Sequence, residues 1–431
     1  MMRAREAAIL GAMLGPAGVA AAQTMDAQRP RTLVVGTPAA GARTDRIDAT
    51  RSGRSATALP LAQSGGLRTE WRAALAASID VAPVVDALGT TYVVGTRGEV
   101  FAVARDGSEK WHASSSAIET SAPALLSDDT LVFTDAAGEA LAVRAGTVRW
   151  RVRFGRPDAT RSIPPAPLAL DDGGVIVATE HELSALDSEG RERARVMLPE
   201  PTAVPLVAAA ALGKVVAIAV SGAVWTWVPG SVEITCVASF GGPIDDSAAL
   251  FDDHTLLAVA GGGRHIVAID LVRGTATTRA VAPTGLWLGP PSVEGGTAHL
   301  LLQAPTSELA LGIDASGGEI SRALLTTHPP AVASDGGVAP LVPLSHTPLL
   351  VDAAGTLAFA TLDGGVGVVS AGVVDLLADV CPPPAGPARG AAAPTAALVP
   401  LGPGAFLAAC RSGTLVAVRA GGAPALAPAG P

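Results

Sequence analysis

From Gly89 to Trp111 the chain reads GTTYVVGTRGEVFAVARDGSEKW, with apolar residues clustered at Tyr92, Val93 and Val94, a break at Arg97-Gly98, a second run Val100-Phe101-Ala102-Val103, and another break at Asp106-Gly107. Short apolar runs bounded by Gly and Asp favour extended backbone joined by tight turns, so the stretch reads strand, turn, strand, turn, strand. The same order returns in DDTLVFTDAAGEALAVRAGTVRW, which closes at Trp150. With Val103 as anchor, equivalent positions fall at Val143, Leu186, Trp227, Ile269, Ile313, Val369 and Val418, at intervals of 40, 43, 41, 42, 44, 56 and 49 residues. A proline opens several copies ahead of the anchor, at Pro83, Pro123, Pro167, Pro205, Pro291 and Pro394; the fifth copy lacks it and the stretched seventh has its nearest at Pro340.

A period of 40 to 45 residues made of short strands predicts β-propeller blades. Helical repeats of that length need apolar residues at i, i+3, i+4 and i+7 over at least ten residues, and here Gly, Asp and Pro interrupt too often. The expected fold is therefore all-β, a propeller of eight four-stranded blades, with seven as the alternative count because the last two copies are irregular. The final copy stops after TLVAVRAGG without an outer strand, and a surplus RTEWRAALA around Trp71 precedes the first. If the Trp71 strand completes the last blade, the two chain ends latch the ring and no sheet edge is left open there. The 49 Gly and 34 Pro suit many turns, and 49% hydrophobic residues suffice for a large core.

Residues 1–22 read as an export signal: Arg3 and Arg5 precede the apolar AAILGAMLGPAGVAAA, which is too short and broken to span a bilayer, and Ala20-Ala21-Ala22 offers a cleavage site. The mature chain is then expected in the periplasm or outside the cell, without a transmembrane segment and without a cysteine in its leader to carry a lipid. Residues 23–66 read as a flexible low-complexity linker, 67–424 as the propeller and 425–431 as a Pro/Ala tail. On that division, removing 67–78 destabilises the whole domain and removing 23–60 does not. The formal charge is −9. An acidic chain with no basic run outside the leader is a poor partner for nucleic acid, where phosphate neutralisation supplies most affinity. Of the three cysteines, Cys236, Cys381 and Cys410, the last two are nearest in sequence and form the candidate disulfide; none stands at CxxC spacing.

The first copy, APVVDALGTTYVVGTRGEVFAVARDGSEKW, resembles the repeat of the pyrroloquinoline-quinone-like propellers at Ala82-Pro83, Gly95-Thr96, Ala102-Val103, Gly107 and Trp111. The second copy matches at Ala122-Pro123, Gly138, Ala142-Val143, Gly146 and Trp150, and the third keeps Ala166-Pro167, Ala185-Leu186-Asp187 and Gly190 without a closing Trp. Later copies retain Ala268-Ile269-Asp270 with Gly274 and Gly312-Ile313-Asp314 with Gly317. The resemblance implies a structural role for Trp111 and Trp150 as wedges between blades; Trp71 of the closing strand, Pro83, Pro123, Gly107 and Gly146 are read as structural too. It also implies one of two functions: quinone-dependent dehydrogenases that hold PQQ and calcium, or non-catalytic binding propellers that scaffold envelope proteins. The enzymes' Cys-Cys step and amide ligand have no counterpart, since the chain contains no asparagine. The expectation is therefore the non-catalytic branch, with no cofactor and an envelope protein as partner. A quinoprotein dehydrogenase and a surface carbohydrate- or peptide-binding propeller are the alternatives.

Candidate acidic sites are Asp128-Asp129, Asp171-Asp172, Asp245-Asp246 and Asp252-Asp253-His254. Calcium needs six to eight converging oxygens, and doublets on separate blades read instead as turn residues. His254 and His265 could face each other across a hairpin but lack a ligand cluster around them. No Ser-His-Asp order, phosphate loop or HExxH stretch stands out. Two insertions, LLTTHPPAVASDGGVAPLVPLSHTPLL and CPPPAGPARGAAAPT, are the candidate binding surfaces, because irregular segments on a rigid ring are where such scaffolds present contacts.

Overall fold

The computed structural model of the protein describes residues 44, 46–62, 65–154, 164–179, 181–202, 204–244, 246–282, 285–327, 348–361, 364–381 and 397–421. Residues 1–22, expected to be an export signal, residues 23–43, most of both insertions, Asp245, Pro340, Pro394 and residues 425–431 lie outside these residues. Eight sheets follow one another along the chain, each built on four antiparallel strands of a blade, which in blades 1 to 7 run in sequence order from the axis outward. The count is eight. Blade 1 consists of Val84–Val85, Thr91–Val94, Glu99–Val103 and Glu109–Ser114. Every anchor read from the repeat lies on a third strand, and all eight are buried. Among the described residues the only regular helix is a single turn, Ala210–Leu212, and no helix is long and apolar enough to cross a membrane.

Blade 8 is built from both ends of the chain. Val399–Gly402, Ala405–Ala409 and Thr414–Ala420 supply its inner three strands, and Leu67–Ala74 pairs antiparallel with the third, from Leu67 opposite Ala420 to Ala74 opposite Thr414. The same N-terminal region reaches blade 7: the Arg72 guanidinium donates to the carbonyls of Val380 (2.6 Å) and Asp379 (3.0 Å). A disulfide joins Cys381, just past blade 7, to Cys410 at the end of a blade 8 strand. Cys236 remains a free, exposed thiol on the outer strand of blade 4.

Side chains alternate across each strand, so every blade is apolar on both faces and the core lies in the seams between blades. Six separate buried clusters fill the seams from blades 1–2 to 6–7, and a seventh spans blades 7, 8 and 1. Adjacent blades diverge outward, and in three seams an indole fills the extra space. Trp71 of blade 8 lies against Gly107 of blade 1, Trp111 of blade 1 against Gly146 of blade 2, and Trp150 of blade 2 against Gly190 of blade 3. Trp71 Nε1 donates to the Arg105 carbonyl (2.8 Å) and Trp150 Nε1 to that of Ser188 (2.9 Å), which fixes each ring relative to the neighbouring turn. Blade 3 presents Ala194 where its predecessors carry Trp. The 3–4 seam is instead filled from the opposite side by Trp227 of blade 4, which is fully buried and donates Nε1 to Ser231 O (2.8 Å).

The fit of indole to glycine is measurable. Gly190 has φ +76°, and a Cβ there would meet Trp150 at 2.6 Å; Gly230 has φ +97° with open space around it. Gly190→Ala should cost about 2–3 kcal/mol in denaturant unfolding, against about 1 kcal/mol for Gly230→Ala, since only the first adds a clash to the backbone strain.

Candidate functional site

The axis of the ring is the natural place to look for a site, because inner-strand edges from all blades converge there. Those edges present backbone N–H groups that must find acceptors if water is excluded. Here the acceptors come from the chain itself. Residues 46–62, within the stretch expected to be a flexible linker, are packed into the ring. The carbonyl of Ala49 accepts from Ala208 N on blade 4 (2.7 Å), Thr50 from Leu250 N on blade 5 (3.0 Å), Ser52 from Val293 N on blade 6 (2.7 Å) and Gly53 from Val351 N on blade 7 (3.0 Å). Arg54–Ser55 then pairs parallel with Leu350–Asp352, making blade 7 five-stranded. Beyond it, Ala58 O accepts from Gly404 N of blade 8 (2.8 Å), and Leu59 N and Ala62 N donate to Asp352 Oδ2 (2.8 Å) and Ser370 Oγ (3.0 Å) as the chain leaves the axis.

The sequence TDRIDATRSGR explains how so polar a segment can lie inside. Asp48 Oδ1 accepts the amides of Thr50 (3.0 Å) and Ser52 (3.0 Å) and the Thr50 hydroxyl (2.8 Å), which winds the backbone locally. Arg46, Ile47, Arg51 and Gly53 all adopt positive φ, so the segment coils tightly enough to offer successive carbonyls to successive blades. Arg51 is 0% exposed: its Nε donates to Leu206 O (2.9 Å) and its Nη2 to Ala166 O (3.4 Å) and Pro167 O (3.3 Å). The buried Arg46 donates to Pro291 O and to Ser292 Oγ (3.2 Å). The Ala-Pro steps thus do more than open blades, since Ala166, Pro167 and Pro291 face the axis and hold the plug. Ile47 shares its apolar cluster with Ala82, Ala122 and Ala166. Over residues 46–62 the linker reading does not hold: the segment has no strand or helix period, and its order comes from groups more than a hundred residues away.

The remaining candidates resolve into turn chemistry. The Asp128, Asp172 and Asp252 carboxylates each accept backbone amides of their own turns, and Asp129 has φ +64°. Hydrogen bonds to the His254 and Thr255 amides and the Thr255 hydroxyl outweigh burial and hold Asp252 below the usual carboxylate range. His254 lies beside the end of the blade 5 hairpin where Thr255 pairs with Asp270, whereas His265 pairs with Ala260 at the other end, so the two do not face each other. Among the described residues no three of His, Cys, Asp and Glu are grouped as metal ligands.

A quinone with a divalent cation would need a flat slot and several free oxygens at the axis. The residues there do not fit: two guanidiniums occupy the space, they would repel the cation, and the nearby carbonyls are already bonded to them. A cavity between blades 5 and 6, lined by Asp252, Thr255, Arg279 and Asp314, has a volume of about 40 Å³, room for water and not for a quinone.

One buried titratable group outside the axis is His299, on the second strand of blade 6. Burial lowers its pKa from 6.5 to about 4. The ring is therefore neutral in the fold and protonated more readily in the unfolded chain, so its contribution is fully present above pH 6.5 and is lost as pH falls toward 4. Unfolding measured across that range should show a loss on the order of 3 kcal/mol that His299→Gln removes. For the axis, Arg51→Ala should destabilise by about 3 kcal/mol, because it strands three buried carbonyls. Arg54→Ala, which breaks a partly exposed ion pair with Glu294, should cost less than about 1 kcal/mol in the same assay.

A family model described as outer membrane protein assembly factor BamB matches residues 61–259, from the closing strand into blade 5. No curated protein matches the chain in sequence. Among solved structures, the fold is similar to quinohemoprotein alcohol dehydrogenase from Comamonas testosteroni, with TM-score 0.63 and 12% identity over 92% of this chain and 82% of that one. It is similar to quinohemoprotein alcohol dehydrogenase ADHIIG from Pseudomonas putida HK5, with TM-score 0.62 and 14% identity over 91% and 82%. It is also similar to BamB from Moraxella catarrhalis, with TM-score 0.52 and 15% identity over 82% and 99%. At these identities the likeness to the solved structures is one of fold.

Proposed function

We propose that this propeller of the pyrroloquinoline-quinone-like repeat type is a non-catalytic protein-binding or scaffolding module of the bacterial cell envelope. The observation that carries the reading is the filled axis. Where a ring of this type would have room for a cofactor, the chain places its own Arg46 and Arg51, so contact with other molecules is left to the faces and the outer rim. The match of residues 61–259 to an outer membrane assembly factor supports the same branch of the family. The shared fold with two quinohemoprotein dehydrogenases keeps the catalytic branch as the reading to test against.

Crosslinking pull-down of the tagged full chain from native envelopes, with mass spectrometry of the captured proteins and of any extracted quinone, tests the proposal. The expected result is a reproducible envelope partner and no quinone. Extracted quinone, or calcium-dependent dye reduction with alcohols, would overturn it.

A further inference from the structure

Every blade ends in an outer strand with one free edge, and the eight edges are not alike. That of blade 2, Thr147–Arg153, carries Arg149, Arg151 and Arg153, all exposed, and no carboxylate. Of the other seven outer strands five contain a carboxylate, that of blade 4 has no charge and that of blade 5 has Arg279 alone. This local positive charge sits on a chain whose formal charge is −9. Arg151 is answered from inside its blade by Glu139 Oε2 (2.8 Å) and also donates to the Ser115 carbonyl of blade 1 (2.6 Å). Arg149 and Arg153 make no hydrogen bond or ion pair among the described residues. The backbone of the strand matches these side chains. Phe154 N donates to Gly138 O (2.8 Å) while Arg153 stands opposite Glu139, so the N–H and C=O of Arg153, and of Arg151 two places earlier, turn away from the blade toward the open edge. The Arg151 and Arg153 side chains share the blade 1 side with Leu141 and Glu139, and Trp150 and Val152, both half-buried, lie on the blade 3 side.

We propose that the free edge of Thr147–Arg153 takes an extended acidic segment of a protein partner as a fifth strand of blade 2, its carboxylates paired with Arg153 and Arg149. The inference rests on the protein-binding reading above and names where and by what chemistry binding occurs. A strand that bonds to the backbone of Arg151 and Arg153 places its directly opposed side chains on the face those residues share. Asp or Glu at alternate positions then meets the guanidiniums, and apolar residues between them cover Trp150 and Val152. Charge selects the occupant. An uncharged strand would cover Arg153 without giving it a partner, and a second copy of this strand would set arginine against arginine, so the edge is closed to neutral chains and to itself. An acidic strand removes that cost through charge-assisted hydrogen bonds. The ring already uses this chemistry where it accepts a strand from far along the chain: Leu67–Ala74 adds to the edge of blade 8 with Glu70 Oε1 accepting from Arg419 (2.9 Å).

The test uses the full-length protein and a capped heptapeptide of alternating Glu and Val. Saturable amide shifts centred on Arg151 and Arg153 are expected, with binding at least about tenfold weaker for the peptide carrying Gln in place of Glu and for one N-methylated on alternate backbone nitrogens. The double variant Arg149→Glu/Arg153→Glu, at two side chains without a partner in the fold, should lose the acidic peptide and bind the corresponding peptide of alternating Lys and Val. No shift at the edge, as would follow if residues 155–163 lie along it, equal binding by the Gln or the N-methylated peptide, or an acidic peptide still held by the folded double variant would each overturn the proposal; the peptide series on the wild type decides it if the variant does not fold. Binding to phosphatidylglycerol vesicles without binding to the peptide would assign the arginines to a lipid surface and likewise overturn it. Envelope crosslinking separates this proposal from the scaffold reading. Partners lost in the double variant support the acidic-strand site; partners retained overturn it and leave a binding propeller that makes contact elsewhere. Peptide binding at the edge with no envelope partner for the wild type would remove the scaffold reading and leave the site standing.

Discussion

Backbone N–H groups at the ring's axis have to be satisfied, and the way this chain does so determines much of the rest. Four inner strands, on blades 4 to 7, donate to carbonyls within a five-residue stretch, Ala49 to Gly53. That requires a coil with positive φ at Arg51 and Gly53, whose unfavourable backbone is offset by bonds to Asp48 and by guanidiniums sunk into blade carbonyls. Since the plug is continuous with the closing strand Leu67–Ala74, a single N-terminal arm completes both the axis and the rim. The arm bonds to every blade from 3 to 8 and ties together segments far apart in sequence.

The second organising constraint is the outward divergence of flat blades. Indoles over glycines solve it in three consecutive seams, and the disulfide and Arg72 reinforce the region where the ring closes. Away from closure the solution drifts. The fourth seam reverses the wedge with Trp227, two seams close by backbone approach, and the 6–7 seam carries Ser321. The 6–7 seam is also where polar groups such as Ser292, His299 and Gln303 are buried.

The closing strand, the eight anchors and the turn role of the acidic doublets were legible because each rests on local rules. Alternation, turn glycines and a repeat period are properties of contiguous residues. The surplus strand around Trp71 was legible for a related reason, as one unmatched copy of the repeat's last element. Arg46 and Arg51 were not legible. Nothing in TDRIDATRSGR distinguishes a solvated leader from a buried one except the Asp-x-Thr-x-Ser spacing, which also occurs in exposed turns. Their partners, the carbonyls of Ala166, Pro167, Leu206 and Pro291, are ordinary backbone atoms with no sequence signature.

The sequence by itself thus determined the blade and the means of closing the ring and narrowed the count to eight or seven, because a propeller is a sum of local hairpins held in register by their turns. Only the tertiary structure decided what fills the axis and how each seam between blades is filled. Both depend on convergence: eight edges meet around one line, and neighbouring blades meet at an angle, so the space between them is set by residues that no local pattern brings together.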